Sequence, residues 1–497
     1  MSALTPLDGR YAHKNAQIAF LMNEEALMRS RLRVEIRWLQ TLLAPNGMSS
    51  WRAAFPPTTP LVLARLDNIL RAFDSTAARC VKRIESVVKH DVKAVEYFLV
   101  EEMRKDEHLR PYVSLVHLGC TSEDINNIAY ATMIQHVLKE IVLPDMNAME
   151  GRLKVMAGTT VDAEMLSLTH GQPASPSTMG KELGVFLHRL NSAGRACARV
   201  RILGKFNGAV GTHAALDVAD PSSDWQAITA QFVSSFNICV NPMTTQIESH
   251  DWIAELCHAL MRYNAISIGL CRDMWGYIAR GYFSQQVLPA EVGSSTMPHR
   301  TNPIFFENAE GNFGLANALL SHMAEKLPVS RFQRDLTDST VLRSVGSALG
   351  YTSVAMQSVA EGLDRVMPDT ARMSADVTGR YELLAEAVQT ALRVHGHPHA
   401  YELLKTATRG CGAMTREQMH AVIDKAGLSI DATAELKALT PNSYTGKAKQ
   451  LAIAAIAAYT PHVAVCPAEG VTECAPRQVF GAFASDDTET ASSRNGV

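Results

Sequence analysis

An all-α fold organised around a bundle of long helices is what this sequence predicts. Apolar residues recur with helical spacing over 122–158, 176–202, 223–236, 249–284, 304–326 and 339–366. Runs that alternate with period two are few, so little sheet is expected. Several of the helical stretches are far longer than an average globular helix. Helices that long need partners along their length, because an isolated helix is marginal in water. A bundle shared between subunits provides those partners.

The order along the chain supports a division into an N-terminal block (1–115), a central bundle (116–366) and a C-terminal helical block (367–465). The length of 497 residues suits roughly three such units. Asp8-Gly9-Arg10-Tyr11 opens the first block with a turn. From Glu24 to Leu43, Leu27, Leu32, Val34, Ile36, Trp38 and Leu39 recur among Glu and Arg at helical spacing. Pro45 to Pro60 reads as a loop, and Leu61–Ala72 and Ala94–Met103 again as helix. The third block is broken by His395-Gly396-His397-Pro398 and by Arg409-Gly410-Cys411-Gly412. Helical spacing returns there at 380–393, 399–407, 415–425 and 446–459. The tail, 466–497, changes character: Ser485 to Ser493 has almost nothing to bury and is expected to be disordered.

Composition excludes several classes. Hydrophobic residues make up 47% and charged residues 20%, as in an ordinary globular protein with a large core. A net charge of −3 and the lack of a basic run argue against nucleic-acid or anionic-membrane partners. The nine cysteines are scattered without a Cys-x-x-Cys pair. That argues against a disulfide framework and a zinc site, and no metal or cofactor is expected. The most apolar late run, Leu451–Ala458, is short and is followed by Pro461, too little for a bilayer span of about 20 residues. The expectation is a cytoplasmic protein that touches no membrane.

Chemistry concentrates in one loop, Gly293-Ser294-Ser295-Thr296-Met297-Pro298-His299-Arg300-Thr301-Asn302-Pro303. The glycine permits unusual backbone angles and the prolines forbid a continuous helix. Polar loops on rigid scaffolds are where catalytic groups concentrate. Four further segments stand out. Thr169-His170-Gly171-Gln172-Pro173 places a histidine in a turn, with a helix expected from about Ser177. Thr121-Ser122-Glu123-Asp124 matches a capping box, and the same helix N-terminus offers free N–H groups to a carboxylate. Lys89-His90-Asp91 is weak by itself. Ser330 to Arg343 gathers Arg331, Arg334 and Arg343 with several hydroxyls, a set suited either to phosphate oxygens or to ion pairs with Asp335 and Asp338. Gly204 to Gly211 lacks the strand and helix of a dinucleotide fingerprint and reads as a tight loop.

The Gly293–Pro303 loop resembles the signature loop of the fumarase/aspartase superfamily, Ser-Ser-x-Met-Pro-x-Lys-x-Asn-Pro, with Arg300 in place of the lysine. Thr169-His170-Gly171-Gln172-Pro173-Ala174, His90-Asp91-Val92 and the 330–343 segment resemble the adenylosuccinate lyase branch, in its longer bacterial form. The resemblance covers about residues 1–460, with the motifs in order. It implies a three-domain fold with a central long-helix bundle, assembled as a homotetramer with active sites shared between subunits. It implies β-elimination of fumarate from adenylosuccinate and from SAICAR, without a cofactor. His170 would be the general acid. Ser294 would be the general base, a choice that comes from the family alone, since chemistry does not separate it from Ser295. Thr121, Ser122, Gln246, Arg300 and Asn302 would hold the succinyl moiety, and Lys89, His90 and Asp91 would face the substrate. Arg10, Tyr11, Arg334, Ser339 and Arg343 would reach the phosphate, with Asn308 and Thr340 completing the substrate-binding set. Two rivals remain: another superfamily lyase such as argininosuccinate lyase, and a catalytically inactive structural relative. The arginine-rich 331–343 segment favours a phosphorylated substrate over the first.

Overall fold

The computed structural model describes residues 3–44, 54–288, 296–297, 299–410 and 412–464. The chain opens with α1 (Ala12–Met22) and α2 (Glu24–Leu43). Asn23 starts α2 by accepting from the Ala26 N–H at 2.7 Å, and Glu24 and Glu25 sit in its first turn, where the helix dipole favours them. Then follow α3 (Pro60–Arg71), α4 (Ser75–Val88) and α5 (Asp91–Lys105). Next comes α6 (Ser122–Val137), which passes through a π-turn at Leu138–Val142 into α7 (Leu143–Thr159). Pro144 has no N–H to give, and the widened turn falls just before it.

A hairpin of β1 (Glu164–Thr169) and β2 (Gln172–Thr178) leads into α8 (Met179–Ala198). A Cβ on Gly180 would lie 2.7 Å from the Ala157 carbonyl oxygen. Glycine there lets the start of α8 close on the end of α7. After β3 (Leu203–Gly204), α9 (Ala214–Ala219), α10 (Trp225–Ser234) and β4 (Cys239–Val240) comes α11 (Asp251–Ala279), with 29 residues. The chain continues through β5 (Phe283–Gln285), α12 (Ile304–Lys326), α13 (Thr337–Leu342), α14 (Val345–Asp364) and β6 (Val366–Pro368). Six shorter helices finish it: α15 (Thr370–Ala375), α16 (Ala385–Val394), α17 (Ala400–Thr408), α18 (Arg416–Lys425), α19 (Ile430–Ala438) and α20 (Ala448–Ala458).

Helices α7, α8, α11, α12 and α14 pack in a closed ring, each against the next and α14 back onto α7. This bundle carries the largest apolar core. A second core lies among α2, α3, α4 and α5, and a third among α16 to α19. Helix α2 serves two cores. Leu27, Val34, Trp38 and Leu42 face the bundle, and Met28, Leu32, Ile36, Leu39 and Leu43 face the second core. Burial on both sides leaves α2 without a solvated stripe wide enough for its charges, and Arg31 and Glu35 are buried with it.

Several expectations need correction. The helical pattern of 176–202 begins at Met179, because 172–178 pairs with β1 across a hairpin. The 122–158 run is two helices and a π-turn, the 339–366 run breaks between Leu342 and Val345, and the 249–284 run stops at Ala279. Helix α4 was not expected; Ala78 and Val81 on its buried side are small and few. The sheet content is slight, three two-stranded sheets among the described residues.

Candidate active site

A continuous polar network runs across the head of α6. Asp91, in the first turn of α5, accepts from Arg31 Nη2 at 2.8 Å and from Arg343 Nη2 at 2.7 Å. Burial alone would push this carboxyl up, but the two guanidinium groups outweigh it and hold Asp91 at about 2. Arg31 Nε donates to Asn126 Oδ1 at 2.8 Å, and Asn126 Nδ2 donates to Glu123 Oε1 at 2.8 Å. Arg334 Nη2 donates to the same Glu123 oxygen at 3.0 Å, and its Nη1 donates to Gln246 Oε1 at 3.2 Å. Asp91, Gln246, Arg334 and Arg343, expected to share a site, are therefore joined through Arg31, Asn126 and Glu123.

Thr121 and Ser122 start α6 beside Glu123. Asp124 accepts from the Thr121 N–H at 2.8 Å, the reciprocal half of the expected capping box. Asp124 is fully buried and also takes the N–H groups of Asn207 and Gly208 and the Lys205 ammonium at 2.9 Å. That ties the 204–211 loop to the helix start. The same loop is pinned from below by Phe206, whose ring centroid lies 4.4 Å from that of Trp38. An open cleft of about 460 Å³ lies between Ala209–Val210, Gln246 and the 332–336 segment. Behind it, Glu248 accepts from the His250 N–H at 2.8 Å, and the His250 ring lies 3.4 Å from Asp338, next to Ser339. Burial raises the Asp338 carboxyl, and His250 reverses this to a net lowering.

Other expected residues lie outside these hydrogen bonds, although His90 adjoins Asp91, its Nδ1 4.0 Å from Asp91 Oδ1. Asn308 Nδ2 donates to the Tyr11 hydroxyl at 2.7 Å, and its Oδ1 accepts from Asn312 Nδ2 at 3.1 Å and Ser358 Oγ at 2.9 Å, a second polar cluster. Arg10, Lys89 and Thr340 are exposed, and Ser339 is half-buried. His90 caps α5, its Nδ1 accepting from the Lys93 N–H at 3.2 Å. His170 and Gly171 are the two central residues of the β1–β2 turn, with φ of 53° and 72°. Positive φ at both positions is the type I′ hairpin turn. His170 is exposed at that tip, and among the described residues it has no hydrogen bond or ion pair. Arg300 is exposed, and Asn302 is half-buried ahead of α12. Ser294 lies outside the described residues, as does Ser295.

Arg31, Glu123, Asn126 and Lys205 carry the network without standing out in the sequence as site residues. The available signal was Arg31 inside the apolar pattern of α2, where a charge demands a partner.

The folded chain is a lyase-type helical bundle. Residues 9–316 match the family model described as Lyase. The fold is shared with the 3-carboxy-cis,cis-muconate lactonizing enzyme from Pseudomonas putida, at TM-score 0.70 and 19% identity, covering 89% of this chain and 96% of that one. Residues 330–445 match the model for the adenylosuccinate lyase C-terminal region. The chain is 43% identical over 451 residues to the adenylosuccinate lyase of Legionella pneumophila (strain Corby), covering 91% of this chain and 98% of that protein. It is 43% identical over 448 residues to the adenylosuccinate lyase of Escherichia coli (strain K12), covering 90% and 97%. This chain belongs to the adenylosuccinate lyase family.

Proposed function

We propose that the chain eliminates fumarate from adenylosuccinate, leaving AMP, and from SAICAR, leaving AICAR. The observation that carries this is the network at the head of α6, which joins Asp91, Gln246, Arg334 and Arg343 beside Thr121 and Ser122. The network sits within a chain 43% identical to adenylosuccinate lyases over nine-tenths of its length.

In this β-elimination a base takes the proton from the carbon β to the departing nitrogen. Its electron pair forms the new carbon–carbon double bond as the C–N bond breaks, and the leaving nitrogen takes a proton. The carboxylate next to the deprotonated carbon carries developing charge, so cations and N–H dipoles aimed at it lower the barrier. The free N–H groups at the start of α6, Thr121 and Ser122, Gln246, Arg300 and Asn302 fill that role. Arg10, Tyr11, Arg334, Ser339, Thr340 and Arg343 form the phosphate side, with Lys89, His90, Asp91 and Asn308 completing the substrate contacts. Ser294 is the base, made competent by nearby charge, and His170 protonates the leaving nitrogen.

The exposure of His170 at a hairpin tip supports a site completed between subunits, and we assign the assembly as a homotetramer. We divide the chain at about residues 115 and 366, with a C-terminal unit to 465 and a tail beyond it; the second and third apolar cores support this, while α1, α2 and α20 also pack on the central bundle. No described helix is long and apolar enough to cross a membrane. The cytoplasm is the proposed compartment.

The test is absorbance-monitored turnover of adenylosuccinate by the purified protein beside His170→Ala and Ser294→Ala. Formation of AMP and fumarate, with losses of at least about a hundredfold in both variants, is expected. An inert wild type would remove the assignment, and an unimpaired Ser294→Ala would move the base to Ser295.

A further inference from the structure

The turn that delivers Thr121 and Ser122 is held in an uncommon backbone conformation. His117 has φ of 60° and Gly119 has φ of 72°. The left-handed region is uncommon for a non-glycine residue, so the surroundings must impose it at His117. At Gly119 a Cβ would lie 2.1 Å from Leu216.

Two residues of α2 clamp this turn. The Trp38 indole N–H donates to the Leu118 carbonyl at 2.8 Å, and His117 Nδ1 lies 2.6 Å from Glu35 Oε1. Glu35 and Trp38 are three residues apart, on one helix face, and Arg31 stands four before Glu35. One face of α2 thus reaches both the Asp91 corner and the turn before Thr121.

The surroundings are nearly dry. Glu35 is 1% exposed and Glu96 8%. Among the described residues, Glu35 Oε2 and Glu96 Oε2 have no hydrogen-bond partner. Lys93 pairs with the other Glu96 oxygen at 2.7 Å, and His117 Nδ1 is 4.0 Å from Glu96 Oε2. Glu35, His117 and Cys120 each bring a donor atom within 4.8 Å of the others, the spread of a metal site. A proton fits the gap better than an ion. Bonds of about 2 Å place two zinc ligands about 3 Å or more apart, wider than the Glu35–His117 contact. The Glu35 carboxyl thus faces the His117 ring and the Glu96 carboxyl faces the Lys93 ammonium.

We propose that Glu35 and His117 are positioning residues for the lyase reaction: their ion pair, with Trp38, fixes the turn that sets Thr121 and Ser122 against the substrate carboxylate. This rests on the reading of Thr121 and Ser122 as carboxylate contacts. The groups facing His117 are Glu35 on α2, Glu96 and Lys93 on α5, and Cys120 on its own turn. Burial alone would lower the His117 pKa, but Glu35 reverses this to a net rise. A raised histidine pKa means that the pair is complete below the unfolded value near 6.5 and is lost as pH climbs through the folded value. Substrate affinity should therefore weaken on the alkaline side.

The experiment is steady-state kinetics with adenylosuccinate between about pH 6 and pH 9, covering the histidine range. Glu35→Gln should raise KM about tenfold, change kcat less, and flatten the rise of KM with pH. His117→Asn should do the same, and it carries the test if Glu35→Gln does not fold. Ser122→Ala should raise KM alone, and Glu35→Gln/Ser122→Ala should be no worse than the worse single variant, since both act through one contact. Wild-type KM and pH profile in Glu35→Gln and His117→Asn, or fully multiplicative effects in the double variant, would overturn the proposal while leaving the carboxylate reading intact. An unchanged KM in Ser122→Ala would instead overturn the carboxylate reading, and the proposal with it.

Discussion

Replacing Arg31 with methionine removes the buried centre of the network while keeping most of its volume. The Arg31 side chain is 3% exposed and donates to Asp91 and Asn126, both at 2.8 Å. Together with Arg343 it takes the Asp91 carboxyl from 3.8 to about 2. That drop is equivalent to about 2.5 kcal/mol of stability at neutral pH, shared between the two arginines. Losing Arg31 also strips Asn126 Oδ1 of its donor, at a cost of about 1–3 kcal/mol. The methionine stem recovers part of the loss by packing. A net destabilisation of about 3 kcal/mol is expected near pH 7, read from urea unfolding followed by circular dichroism. The sign with pH follows from the depressed pKa. The contribution of Asp91 is complete above its unfolded value near 4 and is lost as pH falls through about 2. The gap between wild type and variant should therefore narrow across that window. A gap under about 1 kcal/mol at neutral pH, or one that acid does not change, would mean that the Arg31–Asp91 pair does not stabilise the fold.

Three further outcomes are expected. Lys205→Met leaves the fully buried Asp124 without its cation and should cost about 3–5 kcal/mol in the same unfolding assay; a loss under about 1 kcal/mol would contradict it. Asp145 is pushed up to about 6 by burial, against hydrogen bonds from Ser353 and Gln357. An acid with a raised pKa burdens the folded state increasingly as pH rises from its unfolded value through 6, so Asp145→Asn should be about 2 kcal/mol more stable than wild type near pH 8 and equal to it near pH 4. Gly194→Ala would place a Cβ 2.3 Å from His462 Nε2, in a ring with no room to move and 2.8 Å from Glu150. Limited proteolysis of the segment after α20 should then quicken, and an unchanged rate would show that the ring yields at no cost.

Much of the helical architecture was legible because burial on one side forces helical spacing, as with Val62 and Leu66 in α3. The chain does not mark where a long pattern breaks. Pro144 and the turn at Arg343–Ser344 interrupt runs whose apolar spacing continues across them. The β1–β2 hairpin was hidden because Pro173 and Pro176 suggest irregular chain, and its turn uses His170-Gly171 in place of the usual Asn-Gly. Helix α4 was announced only by Asp74, whose side chain accepts from the N–H groups of Thr76 and Ala77.

The candidate site was legible as residue types and illegible as pairings. Asp91 is 60 positions from Arg31 and 252 from Arg343, and Glu123 is 211 from Arg334. No local pattern encodes contacts at those separations. Arg334 and Arg343, expected at the phosphate, pair in the structure with Glu123 and Asp91. These ion pairs hold both guanidinium groups in place.

In the proposed enzyme, the hairpin carrying His170 and the network carrying Arg334 meet across subunits to make one lyase site. The direct measurement is turnover of adenylosuccinate by a mixture of His170→Ala and Arg334→Met, each inactive alone, after dissociation and reassembly together. Mixed assemblies contain sites built from the unaltered part of each chain, so activity should return well above that of either parent. A mixture as inactive as its parents, in assemblies shown to exchange subunits, would mean that the site is not shared between subunits.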